Sequence, residues 1–228
     1  MPRLAVTPPA PARFATTDPE LEVALHRIFC VGRNYAAHAR EMGNDEREPP
    51  FFFTKPASAA VATGAALPYP PATTDLHHEA ELCALIGTGG RDIEAADALD
   101  HVWGYCAGND LTRRDMQAEA KAMRRPWDMA KGFDASAVLG PFAPASQIGH
   151  PAKGRIACLV DGETRQEADL SQMTWSVAEI VAHLSRLVTL QPGDLIMTGT
   201  PEGVGPVAPG QDCTVEIAGL GAARFRFD

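Results

Sequence analysis

Hydrophobic positions fall into short blocks punctuated by glycine and proline, and the spacing within each block predicts its element. IFCVGRNY, from 28, predicts a buried strand ended by Gly32, and 34–43 suits a short helix closed by glycine. FFFTK (51–55), 77–87 and 100–112 read as further strands. A helix is expected over 113–123, where Met116, Ala120 and Met123 repeat at helical spacing; Thr112 and Asp115 resemble a capping box, and Pro126 stops it. In RIACLVDGETRQ a DG pair between two alternating segments predicts a β-hairpin. The longest helix opens at a Ser176/Glu179 capping box, carries Val177, Ile180, Val181, Leu184 and Val188 on one face, and ends at QPGD. Many strands, few helices and no regular βαβ alternation predict an α+β fold, mainly β, with an antiparallel or mixed sheet. Residues 1–26 read as an N-terminal arm and 27–228 as a single domain.

A net charge of -9 argues against nucleic-acid or anionic-membrane partners, since binding phosphates needs a basic surface. No apolar run approaches the roughly 18 residues of a membrane span. The five cysteines are widely spaced in apolar surroundings, without a CxxC pair, and read as reduced thiols of a cytoplasmic protein.

The candidate chemistry starts at LHHEAEL, 76–82. Side chains alternate along a strand, so Glu79 and Glu81 share one face, roughly 7 Å apart at Cβ, while Leu76, Ala80, Leu82, Ala84 and Ile86 form the other. Exposed glutamate is the default, but Cys83 and Leu85 continue the acidic face as an apolar one, so it too is expected to be covered. Asp110, at the end of GYCAGND, is the natural third ligand; its alternative role is to cap the following helix. Three carboxylates suit a hard divalent ion, Mg2+ or Mn2+. Zinc ranks below it, because His77 and His78 point to opposite faces and no HExxH or cysteine pair is present.

His38 and Glu41, at i and i+3, form a candidate general base with its orienter, or an ordinary solvated pair. Lys131, among apolar residues in WDMAKGFD, is a candidate for stabilising a developing oxyanion, with surface exposure as its default. TGTPEGVG lacks the spacing and following helix of a nucleotide loop. It reads as a tight turn offering Thr200 and backbone amides to a carboxylate.

CVGRNYAAHAREMG, HHEAEL, NDLTRRDMQ, WDMAKGFD and GDLIMTGTPEGVG, in this order and spacing, resemble the fumarylacetoacetate hydrolase family, and within it the small acylpyruvases and fumarylpyruvate hydrolases. The resemblance spans roughly 27–228. It implies the family's mixed α+β fold, a homodimer, Mg2+ held by Glu79, Glu81 and Asp110, and a water positioned by His38 and Glu41. Lys131 would act in catalysis, and Gln117 and Thr200 would contact the oxo-acid end of a 2,4-dioxo acid. Fumarylpyruvate hydrolysis is the leading expectation, with Arg40 or Arg47 meeting its distal carboxylate. General acylpyruvase activity, oxaloacetate decarboxylation or tautomerisation are the alternatives. An inactive, metal-stabilised binding protein is a more remote one.

Overall fold

The computed structural model describes residues 5–7, 9–35 and 48–228. His38, Glu41, Arg40, Arg47 and, beyond Tyr35, the helix expected over 34–43 lie outside the described residues.

A mixed eight-stranded sheet carries the site. Its order is Phe51–Lys55, Ile28–Gly32, Leu195–Met197, Ala80–Ile86, Val102–Asp110, Ala137–Leu139 and Ala60–Ala62, with Ala143–Pro144 also paired to Val102–Asp110. Leu195–Met197 runs parallel to Ile28–Gly32, and Ala137–Leu139 to Ala60–Ala62; the other pairs are antiparallel. A five-stranded sheet, Glu163–Asp169, Arg155–Val160, Asp212–Ile217, Ala223–Phe227 and Ala65–Leu67, packs against it. The fold is mainly β, with four short helices among the described residues: Arg114–Ala122, Asp128–Lys131, Ala145–Ile148 and Val177–Leu187.

The central strand Ala80–Ile86 is buried at every position because both of its faces meet a core. Leu82, Ala84 and Ile86 pack with Ile156, Val215 and Phe225 of the second sheet. Cys83 and Leu85 join Phe14, Ile28, Phe142 and Met197 on the opposite side. Phe14 comes from the 1–26 segment, where Arg13–Ala15 pairs with Glu22–Ala24, and its ring meets Phe142 edge-on at 6.2 Å. All five cysteines are free and buried.

The strand expected over 77–87 is split at Glu79. Leu76–His78 belongs to a three-stranded sheet with Thr112–Arg113 and Gly205–Pro206, and Ala80–Ile86 to the large one. At the break the Glu79 N–H donates to Asn109 Oδ1 at 3.0 Å, and its carbonyl accepts from Asp110 N–H at 2.9 Å.

The expected hairpin forms with Asp161 at φ 51° and Gly162 at φ 81°, the left-handed pair that a two-residue turn demands. The Ser176/Glu179 capping box is present, and the face it starts is buried. The Thr112/Asp115 box is absent, and the first capping position is Arg113. Asp115 is drawn away to Thr73 Oγ1 and Thr74 N–H, and the Thr112 hydroxyl bonds to the Asp110 carbonyl. Asp110 does not cap the helix either, because its carboxylate is held by Lys131 and Lys55.

Candidate active site

Glu79, Glu81 and Asp110 converge: ligand oxygens from all three lie within 4.8 Å of one another, and all three side chains are buried. The split at Glu79 brings the two glutamates to a junction between sheets, and the antiparallel pairing of Ala80 with Asn109 sets Asp110 beside them. Glu81 Oε2 accepts from the Gly199 N–H at 2.7 Å. Gly199 stands at φ +99°, and a Cβ there would come within 2.7 Å of the Asn34 side chain, so the turn needs glycine. The glycine-rich turn thus offers its backbone amide to a carboxylate, as the sequence suggests, but that carboxylate is the chain's own.

Lys131 is buried rather than exposed. It stands at the end of the one-turn helix Asp128–Lys131, and its ammonium donates to Glu79 Oε2 at 2.8 Å and Asp110 Oδ2 at 2.7 Å. Burial alone would lower its pKa, but Asp110 and Glu79 outweigh burial and raise it, so the side chain stays a cation at neutral pH. The opposite holds for Glu81. Burial first, then the like charges of Asp110 and Glu79, push its pKa well up, against the pull of Lys131 and the Gly199 amide.

Arg114, at the first position of helix Arg114–Ala122, donates to Glu79 Oε1 through Nη2 and to Gln117 Oε1 through Nη1 at 2.6 Å. Gln117 follows it by three residues, so helical geometry sets the two side by side. Lys55, the last residue of Phe51–Lys55, lies 2.7 Å from Asp110 Oδ1 and also donates to the carbonyls of Leu111, Lys131 and Ser136. Thr200 and Gln117 line the same cleft as Glu79, Glu81, Lys131, Arg114 and Arg33. An aromatic wall of Phe51, Phe53 and Trp127 closes one side, with Trp127 meeting the two phenylalanines edge-on at 5.5 and 5.9 Å. Gly32 makes room for that wall, since a Cβ there would lie 2.0 Å from the Phe51 ring.

The structure therefore gathers Glu79, Glu81, Asp110, Lys131, Gln117 and Thr200 at one cleft. His77 and His78 stay out of the carboxylate cluster. His77 pairs with Asp75 at 2.9 Å, and His78 with Gln166 at 2.9 Å.

The donor set fits a hard divalent ion. Three buried carboxylates supply only oxygen, and a dication would relieve the repulsion that helps to raise Glu81. Residues 27–228 match the family described as fumarylacetoacetate (FAA) hydrolase, C-terminal.

The chain belongs to the fumarylacetoacetate hydrolase family.

Among solved members of the fumarylacetoacetate hydrolase family fold, it is similar to fumarylpyruvate hydrolase from Pseudomonas aeruginosa in complex with Mn2+ and pyruvate. The two are 51% identical, with a TM-score of 0.95 and 99% of each chain covered. The mitochondrial oxaloacetate decarboxylase of Dictyostelium discoideum is 43% identical, over 85% of this chain and 89% of that protein. The mitochondrial oxaloacetate tautomerase of Homo sapiens is 41% identical, over 88% and 91%. Among the described residues no helix is long and apolar enough to cross a membrane.

Sequence reasoning missed Lys55, Arg114 and Gln166. Arg114 carried a faint signal in its i, i+3 spacing to Gln117. Lys55 carried none, because a lysine ending a strand is exposed by default. Gln166 sits in the second sheet, and only tertiary packing brings it to the site.

Proposed function

We propose that the protein is a metal-dependent hydrolase that cleaves the carbon-carbon bond of a 2,4-dioxo acid, with fumarylpyruvate as substrate and fumarate and pyruvate as products. The observation that carries this reading is the buried Glu79, Glu81 and Asp110 cluster with Lys131 in its midst, on a chain half identical to a relative in complex with Mn2+ and pyruvate.

The charge count supports an anionic substrate. Among the described residues the three carboxylates are met by three cations, Lys131, Arg114 and Lys55, so an added dication makes the cleft favourable to an anion. A dioxo acid brings one carboxylate and develops a second negative charge as an enolate. Mg2+ or Mn2+, held by Glu79, Glu81 and Asp110, would supply Lewis-acid polarisation of the 2-oxo group and offset the enolate charge.

The chain's own residues carry the remainder. Water adds at C4, the bond between C3 and C4 breaks, the acyl group leaves as a carboxylate, and the three-carbon enolate takes a proton to become pyruvate. Lys131, kept cationic by its carboxylates, stabilises the enolate electrostatically without reorganising. Arg114, fixed by Glu79, and the Gln117 and Thr200 side chains orient the oxo-acid end. His38, oriented by Glu41, takes the water's proton, a role that rests on the family resemblance.

A second reading, oxaloacetate decarboxylation or tautomerisation, draws support from the sequence relatives. The lining of the cleft favours the first. Phe51, Phe53 and Trp127 stand in it beside Glu79 and Glu81, an apolar surface suited to a conjugated acyl chain that oxaloacetate lacks. Arg33 stands at the same cleft, its guanidinium 5.3 Å from the Phe51 ring centre and 3.7 Å from Glu48, and it is the described cation best suited to a distal carboxylate. A cytoplasmic homodimer completes the proposal.

Turnover of fumarylpyruvate, acetylpyruvate and oxaloacetate with Mg2+ tests the assignment. The largest kcat/KM is expected for fumarylpyruvate, with fumarate and pyruvate released in equal amounts. A larger value for oxaloacetate would overturn it.

A further inference from the structure

Gln166 belongs to the strand Glu163–Asp169 of the second sheet, yet its buried side-chain amide reaches Thr200, which lines the cleft, and makes four hydrogen bonds. Oε1 accepts from the Ala80 N–H at 3.0 Å and faces His78 Nδ1 at 2.9 Å. Nε2 donates to the Pro201 carbonyl at 2.8 Å and to Thr200 Oγ1 at 2.8 Å.

Two of these partners admit no choice: a backbone N–H only donates, and a proline carbonyl only accepts. They fix which end of the amide is oxygen, and the other two partners must comply. His78 Nδ1 has to carry a proton, which leaves Nε2 bare in the neutral ring. Thr200 Oγ1 has to accept. Its own hydrogen is then not spent on Gln166 and is available to an acceptor in the cleft.

We infer that Gln166 is a positioning residue that sets Thr200 as a hydrogen-bond donor towards the oxo-acid, an inference that rests on reading Thr200 as an oxo-acid contact. A hydroxyl is free to present either a lone pair or a hydrogen to a ligand, and one held as an acceptor on its protein side presents the hydrogen. For an anionic substrate and a product-side enolate the difference decides between attraction and repulsion. The same amide ties Ala80, the residue between the two glutamates, to Pro201, so Thr200 and the carboxylate strand keep one spacing.

Oxalate, a stable mimic of the pyruvate enolate, titrated calorimetrically into Mn2+-loaded protein, tests this in a double-mutant cycle of Gln166→Glu and Thr200→Val. The glutamate puts an acceptor where Nε2 donated, so Thr200 turns its hydrogen away from the cleft. Each single variant is expected to weaken oxalate about tenfold or more, the loss of one charge-assisted hydrogen bond. With every affinity read at saturating Mn2+, the double variant should bind as Thr200→Val does. Independent, multiplying losses would overturn the inference while leaving Thr200 as a contact. An unaltered oxalate affinity in Thr200→Val would overturn it by removing that contact. If Gln166→Glu fails to fold, 15N shifts of the His78 ring in the wild type decide. A protonated Nδ1 and bare Nε2 are expected, and the reverse tautomer would overturn the inference.

Discussion

Lys55 Nζ lies 2.7 Å from Asp110 Oδ1 with both side chains shut away from solvent. The carbonyls of Leu111, Lys131 and Ser136 surround the same ammonium, so it ties the end of one strand to three other segments of the site. Removing Lys55 leaves the buried Asp110 carboxylate to Lys131 alone and takes the ammonium donor from three buried carbonyls. Lys55→Met is expected to lower stability by about 3–5 kcal/mol, read as a reduced urea midpoint in metal-free protein. An unchanged midpoint would show that Lys131 alone suffices for Asp110.

Lys131 has a different duty, although it touches the same aspartate. Lys131→Met keeps an unbranched side chain of similar length and removes the ammonium, which faces Glu79 and Asp110 and stands 5.0 Å from the Phe53 ring centre. It is expected to retain Mn2+ binding while kcat on fumarylpyruvate falls about 10²–10³-fold, the typical loss for one preorganised electrostatic contact. Loss of the metal together with turnover would instead make Lys131 a prop for the carboxylates.

Glu81 gives the site its pH dependence. Its pKa is raised by burial and by Asp110 and Glu79, so as pH falls the buried carboxyl takes up a proton sooner than an ordinary glutamate does. A divalent ion must displace that proton. Ion affinity should therefore rise with pH through the raised pKa, and binding should release protons. Calorimetry of Mn2+ binding in buffers of different ionisation enthalpy reads this directly. A pH-independent affinity without proton release would mean that Glu81 is already ionised in metal-free protein.

Arg33 tests the substrate rather than the metal. Arg33→Met is expected to lower kcat/KM for fumarylpyruvate by about 10–100-fold, the range of one charge-assisted contact, and to leave acetylpyruvate, which has no distal carboxylate, within about twofold. Equal losses on both substrates would remove Arg33 from specificity.

The sequence disclosed those parts of the site that depend on period and local chemistry. Strand alternation put Glu79 and Glu81 on one face, and the apolar continuation through Cys83 and Leu85 correctly signalled that this face is covered. The split at Glu79 was hidden, because it arises when the Asn109 side chain replaces a ladder partner. Local rules also misled at Thr112 and Asp115, where the spacing of a capping box was present but the loop at Thr73 and Thr74 captured the aspartate. Lysine burial was illegible for a related reason. Lys55 and Lys131 look like surface residues until the fold brings Asp110 between them. Motif resemblance supplied what spacing could not, namely Gln117 and Thr200, and the structure brings both to the cleft.

The central claim is that a divalent ion held by Glu79, Glu81 and Asp110 is required for cleavage. Glu81→Gln keeps an acceptor for the Gly199 amide and removes the charge a cation needs. The most direct measurement is the rate of fumarylpyruvate hydrolysis by this variant across a Mn2+ titration, beside the wild type. The expected result is saturable activation of the wild type and a variant at least about 10³-fold slower that Mn2+ does not rescue at wild-type concentrations. Wild-type turnover by the variant, or an unchanged Mn2+ midpoint, would contradict the account.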